Sequence, residues 1–407
     1  ENDLRPQRVL TVGPRLGYNP RTMMPVLLSL GALYLLALGA GRICARLRIP
    51  RVTGYLLVGL AAGPSAAALV GVAPVITETQ LHDLEPLHDL TLGLIVLVIG
   101  GSFHIKTMRR FGARLLWISG VEMLATAALV LAAAFLAGAP LAAASFLALM
   151  AITTAPAATQ MVVREYESEG PLTDMVMTLI GLNNLTAIAA FVLLFHAAVT
   201  PETPWTDVLR QLGAPAALGV AAGAVLALMD QRLSSAVERQ ILALATIAAV
   251  VGGCRALEIS PMLAAMVAGA VLVNASPNER RLLKDLAAVD YPLYVLFFIT
   301  AGAHLRLELL PEMGAVGLAY IGARAAGKLA GATAGARLTR SEPTVRTWLG
   351  PAMLAQAGLA IGLAATLARD WGEDGAAVQT AVLASVVVFE GLGPLLTRVA
   401  LVRAGEV

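Results

Sequence analysis

Inside long apolar stretches of the 407-residue chain, nine polar side chains have the chemistry of an ion or proton site: Glu122, Thr153, Thr154, Asn183, Asn184, Arg324, Lys328, Gln356 and Glu390. Charge in hydrocarbon is costly, so ionisable residues there are functional candidates by default. Threonine hydroxyls, amide oxygens and carboxylates are ligands for a hard monovalent cation. Glutamate and lysine can also carry a proton, which an amide cannot do at physiological pH. Lys328 lies four residues after Arg324, one turn along the same helical face. A buried ammonium must be paired, neutralised or wetted. Glu122 and Glu390 are the acids available to it. Either could form a proton-exchanging pair with Lys328, or the two could simply be structural partners of Arg324 and Lys328. No His-Glu-x-x-His, phosphate loop or strand-borne GxGxxG occurs, so the chain reads as neither an enzyme nor a cofactor binder.

The elements that must hold these residues are membrane helices. Hydrophobic residues make up 58% of the chain and charged ones 14%, against about 45–50% and about 25% in soluble domains. A net charge of +2 and an aromatic content of 5% give no footing for nucleic acid. Cys44 and Cys254 read as packing residues. Marking stretches long enough to cross a bilayer gives thirteen runs, from 25–41 to 376–397, after a tail over 1–24. The expected fold is therefore an all-α polytopic membrane protein. Arg42, Arg46, Arg48, Arg51, Lys106, Arg109, Arg110, Arg114, Arg337, Arg340 and Arg346 fall in one set of alternate gaps, and Arg255, Arg306 and Arg369 in the other. The excess places the first set and the C-terminus in the cytoplasm and the N-terminus outside. Arg5, Arg8, Arg15 and Arg21 in the tail count against that orientation.

The runs repeat at an offset of seven. Gly54–Gly59 in the second resembles Ala264–Gly269 in the ninth, and Val98–Gly101 in the third resembles Ile299–Gly302 in the tenth. An odd offset inverts the second copy, giving repeats over about 25–199 and 239–403 joined by a linker helix over about 206–229. Inverted repeats with broken helices are typical of alternating-access transporters. Breaks are expected in the fifth run, at Thr153-Thr154-Ala155-Pro156, and in the twelfth, at Gln356-Ala357-Gly358 through Gly362. Two breaks in matching positions favour a site over a pair of incidental kinks. The cluster from His82 to Asp89 reads as an acidic rim in an exposed outer loop rather than a metal site, and His104 and His304 as solvated loop histidines.

In order along the chain, Arg48–Pro64, the Thr154-Ala155-Pro156 break, Gly181–Ile188, Ser260–Gly269, Leu296–Gly302, Arg324–Lys328 and Gln356–Gly358 resemble the cation/proton antiporter superfamily of sodium–proton and potassium–proton exchangers. The resemblance implies exchange of Na⁺ or K⁺ for protons in a bacterial-type inner membrane. It also implies a homodimer, with a dimerisation part and a core of two crossed, broken helices that moves like an elevator. A regulatory domain beyond Val407 fits this layout. The chain departs from the family where a carboxylate is expected: Asn183-Asn184 stands for Asp-Asp or Asn-Asp, and Ala155 for the Asp of Thr-Asp-Pro. Another acid does the work, or an Asp-to-Asn change stands at 184, or the chain is a transport-silent relative acting as a sensor or scaffold.

Overall fold

In lipid the backbone must satisfy its own hydrogen bonds. Every regular element among the described residues is a helix. The computed structural model describes residues 20–105, 109, 112–276, 279–287 and 290–407; the expected tail through residue 19, Lys106 and Arg110 lie outside them. The helices are α1 (Pro20–Arg46), α2 (Arg51–Ala62), α3 (Pro64–Val70), α4 (Glu78–Asp83), α5 (Glu85–Gly100), α6 (Ala113–Leu136), α7 (Leu141–Ala151), α8 (Pro156–Glu165), α9 (Pro171–Ala198) and α10 (Trp205–Asp230). They continue with α11 (Ala236–Ala256), α12 (Pro261–Ala275), α13 (Glu279–Ala287), α14 (Tyr291–Ala303), α15 (Leu309–Glu312), α16 (Gly314–Leu338), α17 (Pro343–Ala352), α18 (Gly358–Asp370) and α19 (Gly372–Ala404).

Each apolar run of the sequence falls on one of these helices or on a consecutive pair. Seven spans are long and apolar enough to cross a membrane, counting Leu141–Glu165 across its break; the pair α2–α3, bent by 55°, makes an eighth. Both expected interruptions are present. Pro156 opens α8 rather than kinking a continuous helix, since a first-turn proline lacks only an N–H that has no intrahelical acceptor. The second break is shifted from its expected place. It covers Met353–Ala357, and Gly362 is helical with open space beside it.

The strongest packing joins α6 to α16. Gly327, Gly331 and Gly335 line one face of α16 at four-residue spacing. A Cβ on each would lie 2.5 Å from Thr126 Cα, 2.8 Å from Glu122 Cα and 2.9 Å from Ile118 Cα respectively. Small residues let the two backbones approach closely, as in other membrane helix pairs. This seam belongs to a group made of α6–α9 and α16–α19; α1, α2, α5, α10–α12 and α14 form a second group. Within the second group α2 crosses α14 and α5 crosses α12 at glycines. Gly59 meets the Ile299 carbonyl, Gly302 that of Leu56, Gly100 that of Met266 and Gly269 that of Leu97. The α9 N-terminus is capped from the far end of the chain: Glu406 accepts from Leu172 N (2.6 Å), Thr173 N (2.8 Å) and Thr173 Oγ1 (2.7 Å).

The histidine cluster is not a loop. His82 and Asp83 are on α4, and Glu85 to Asp89 begin α5. His88 turns inward, 3.0 Å from Thr300 Oγ1 and stacked on Phe297, while Asp89 pairs with Arg255. His304 closes α14, with Nδ1 2.7 Å from the Thr300 carbonyl.

The seam gives a direct test. Gly331→Leu should destabilise the protein by about 1–3 kcal/mol or more, because the side chain must push two backbones apart. Gly322→Ala, on the same helix but facing open space, should leave stability unchanged or slightly raised. Thermal unfolding in detergent compares the two; equal melting temperatures would refute the seam.

Candidate functional site

The two breaks meet. The Ala155 N–H donates to the Ala355 carbonyl at 2.9 Å, so the interruptions of α7–α8 and α17–α18 touch through their backbones. Both α7 and α17 end there, and their last carbonyls carry the negative end of each helix dipole. Two cations from α16 answer them. Arg324 donates to the carbonyls of Leu354 (2.7 Å), Thr153 (2.9 Å) and Ala355 (3.3 Å), with its guanidinium 4.4 Å from the Phe389 ring centroid. Lys328 Nζ donates to the Ile152 carbonyl at 2.7 Å and to Thr154 Oγ1 at 3.0 Å. It also pairs with Glu122 Oε1 at 2.8 Å, both side chains being fully buried.

Glu122 is held from three sides. Asn183 Nδ2 donates to Oε2 at 2.6 Å, Thr126 Oγ1 to Oε1 at 3.2 Å, and Lys328 supplies the counter-charge. Asn183 is fixed in turn by Ser119, whose hydroxyl donates to Oδ1 at 3.0 Å. Asn184 spans the first break: Oδ1 accepts from Thr154 N (3.1 Å) and Nδ2 donates to the Thr154 carbonyl (3.0 Å). An amide does both, and an ionised carboxylate could not. A carboxylate at 184 would face a carbonyl lone pair, and one at 183 would face Glu122. Gln356 ties the second break to the core. Its Nε2 donates to Tyr320 OH (2.7 Å) and the Met150 carbonyl (3.1 Å), and its Oε1 accepts from Ser385 (3.0 Å).

Carbonyls freed by a broken helix can coordinate a cation. Most instead have protein donors: Ile152 from Lys328, Thr153 from Arg324, Thr154 from Asn184 and Ala155 from Thr159. In the second break, Ala352 accepts from Thr397, Leu354 from Arg324, and Ala355 from Ala155 N and Arg324. Asn184 also lines a narrow cleft with Pro156, Val96, Ile99, Met262 and Met266, between the two helix groups, with room for little more than one water.

Of the sequence candidates, Thr153, Thr154, Asn183, Asn184, Glu122, Arg324, Lys328 and Gln356 converge here. Glu390 does not pair with either cation: Lys328 takes Glu122, and Arg324 takes carbonyls in place of an acid. Ser119, Thr126, Tyr320, Ser385 and Phe389 also belong to the site. Their spacing carried the signal. Ser119, Glu122 and Thr126 follow at three and four residues, and Tyr320, Arg324 and Lys328 at four, so each trio shares one helix face.

Residues 32–402 match the family described as sodium/hydrogen exchanger, transmembrane. The chain belongs to that family. Sodium/hydrogen exchangers are integral membrane transporters, not enzymes, and cation/proton exchange is the activity of the family. Two solved structures of the sodium proton antiporter MjNhaP1 from Methanocaldococcus jannaschii share the fold. One, at pH 8, is 16% identical with a TM-score of 0.64, covering 94% of this chain and 97% of that one. The other is 15% identical with a TM-score of 0.66, covering 94% and 96%. No curated protein matches the chain. Nothing in these comparisons supports a transport-silent scaffold.

The Glu122–Lys328 pair can be tested without transport. Removing one partner of a buried pair leaves an uncompensated charge, so Glu122→Gln and Lys328→Met should each cost about 3–5 kcal/mol. The double variant should cost much less than their sum. Unfolding in detergent measures this cycle, and simple additivity would show the pair uncoupled.

Proposed function

We infer that this exchanger trades a monovalent cation, Na⁺ or K⁺, for protons at the oxygen set now holding the Lys328 ammonium. One observation carries the reading. Lys328 Nζ sits among the Glu122 carboxylate, the Ile152 carbonyl and the Thr154 hydroxyl, three oxygens that suit a dehydrated monovalent cation equally well. With the ammonium in place the set is neutralised. When Nζ gives up its proton, a neutral amine remains and the set holds one uncompensated negative charge. A cation arriving through the cleft at Asn184 then takes the ammonium's place, and reprotonation of Lys328 expels it. Proton and cation exclude each other, which exchange requires, and no aspartate at 183 or 184 is needed. Asn183 serves by holding Glu122, and Asn184 by keeping Thr154 in the break.

Alternating access in this reading comes from an elevator-like slide of the α6–α9/α16–α19 group against the other helices. The two-group packing and the cleft between the groups support it. Thirteen crossings in two inverted repeats fit the order of the helices. A shift of seven runs exchanges the α2–α14 crossing with the α5–α12 crossing, and one break with the other. The positive-inside excess supports a cytoplasmic C-terminus and an outside N-terminus, in a bacterial-type inner membrane. The dimerisation part implied by the resemblance corresponds to the second group, and a homodimer would form there.

Purified protein in liposomes, given an inward Na⁺ or K⁺ gradient, should alkalinise the lumen as read by a trapped pH dye. Lys328→Gln and Glu122→Gln should each abolish the signal while size-exclusion profiles stay monodisperse. Exchange that survives both substitutions would overturn the assignment of the pair, and a silent wild type under either gradient would overturn exchange itself.

A further inference from the structure

One acid deep in the core takes no part in this scheme. Glu390 is 1% exposed, and its Oε1 has no hydrogen-bond partner among the described residues. It lies on α19, one residue after Phe389, which stacks under Arg324, and three before Gly393, which packs against Ala355 in the second break. Four residues on, Pro394 lacks the N–H that an α-helix would donate to the Glu390 carbonyl. Two acceptor oxygens of one buried residue thus lack their expected donors. A third is nearby in depth. Gln160 on α8 is 2% exposed and its Oε1 has no partner among the described residues. α8 packs against α19 and the two run in parallel: Arg324 ties Thr153 to Phe389 at one end, and Arg398 stands 5.3 Å from the Tyr166 ring centroid at the other. Counting back from that second tie, Gln160 is about 9 Å and Glu390 about 12 Å along the helix axis.

A group of acceptors without donors calls for a positive occupant. Among the described residues, no cation pairs with Glu390. On α16, Arg324 is committed to the break carbonyls and Lys328 to Glu122; on α8, Arg164 pairs with Asp290 and Glu165 with Arg51. The other charged or titratable groups on the packed helices are Arg51 and Tyr55 on α2, Asp174 and His196 on α9, Glu312 on α15, Tyr320 and Arg337 on α16, Arg346 on α17, Arg369 and Asp370 on α18, and Glu373, Asp374, Arg398 and Arg403 on α19 itself. None of them forms an ion pair with Glu390. A bare carboxylate in such a place is strongly disfavoured, whereas a carboxylic acid is neutral and carries an O–H donor of its own.

We propose that Glu390 is a second proton-binding site of the core, separate from the Lys328–Glu122 pair. Its protonation stands on the local chemistry alone; its part in transport rests on the exchange reading. The carboxyl takes up a proton to become neutral and releases it when the core opens to water. Each cycle then moves one proton more than the pair alone carries, so exchange becomes sensitive to membrane potential.

Infrared difference spectroscopy of the purified wild type tests the first part. A protonated-carboxyl C=O band is expected at low pH. It should diminish as the pH is raised, vanish in Glu390→Gln and persist in Glu122→Gln. Glu390→Asp should shift the band and so assign it even where Glu390→Gln folds poorly. Absence of the band, or a band that never titrates, would overturn the proposal; a band lost on adding Na⁺ at constant pH would do so too, by making Glu390 a cation site. In liposomes, the wild type should respond to a valinomycin-clamped potential and Glu390→Gln should not. A wild type that exchanges with no response to potential sinks the second proton. A wild type that does not exchange at all sinks the exchange reading, and the infrared titration still decides whether Glu390 binds a proton.

Discussion

The rest of this core depends on one constraint: two half-helices end beside each other at a buried crossing. Each end carries roughly half a negative charge, and the unwound residues add carbonyls that no helix satisfies. Lys328 and Arg324 meet that demand from one helix, four residues apart, Arg324 bridging both breaks and Lys328 serving the first. Glu122 then neutralises the ammonium, and Asn183, Thr126 and Ser119 hold the carboxylate and its amide neighbour. Take away the dipole ends, and two buried cations beside a single carboxylate would be an electrostatic error. With them, the second cation has acceptors of its own.

The same constraint explains why amides can stand where relatives carry acids. With the acid on α6, a carboxylate at 183 would bring two negative groups together around one lysine. Asn183 removes that repulsion and adds a donor to Glu122. At 184 the amide closes both polar groups of Thr154, so it stiffens the break it faces. The carboxylate stands on the neighbouring helix, α6, and an acid–ammonium pair occupies the crossing.

Much of this was legible in the sequence, and the failures have physical causes. Hydropathy located the helices, because lipid leaves the backbone little choice of structure. Thr153, Thr154 and Pro156 marked the first break because a proline after polar residues is a chemical signal as well as a pattern. The second break was misplaced toward Gly358 and Gly362. Pro351, one residue before α17 ends, marks the start of the interruption and Gly358 its end, while Gly362 continues α18 undisturbed. The choice between Glu122 and Glu390 turned on how helices rotate about their axes. Repeat symmetry favoured Glu390, since its helix mirrors that of Asn184. The glycines on either side of Lys328, at 327 and 331, held the answer: a stripe so bare draws a neighbouring backbone close, and that neighbour carries Glu122.

That stripe also bears on how the core moves. Glycine contacts at the seam put the α6 and α16 backbones close enough that sliding between them would collide, because close-packed interiors do not deform continuously. In the exchange reading, the ion pair and both breaks therefore travel as one body. Motion is left to the looser boundary between the helix groups, where the cleft at Asn184 lies. α8 spans that boundary. Its first residue opens the half-helix at the break, and its far end is tied to the other group by Arg164 on Asp290 and by Glu165, which accepts from the Arg51 N–H at the start of α2. A slide of the core in the exchange reading must break both ties together, since they sit on adjacent residues. The seam thus fixes what cannot move, and these two contacts hold the side that must open.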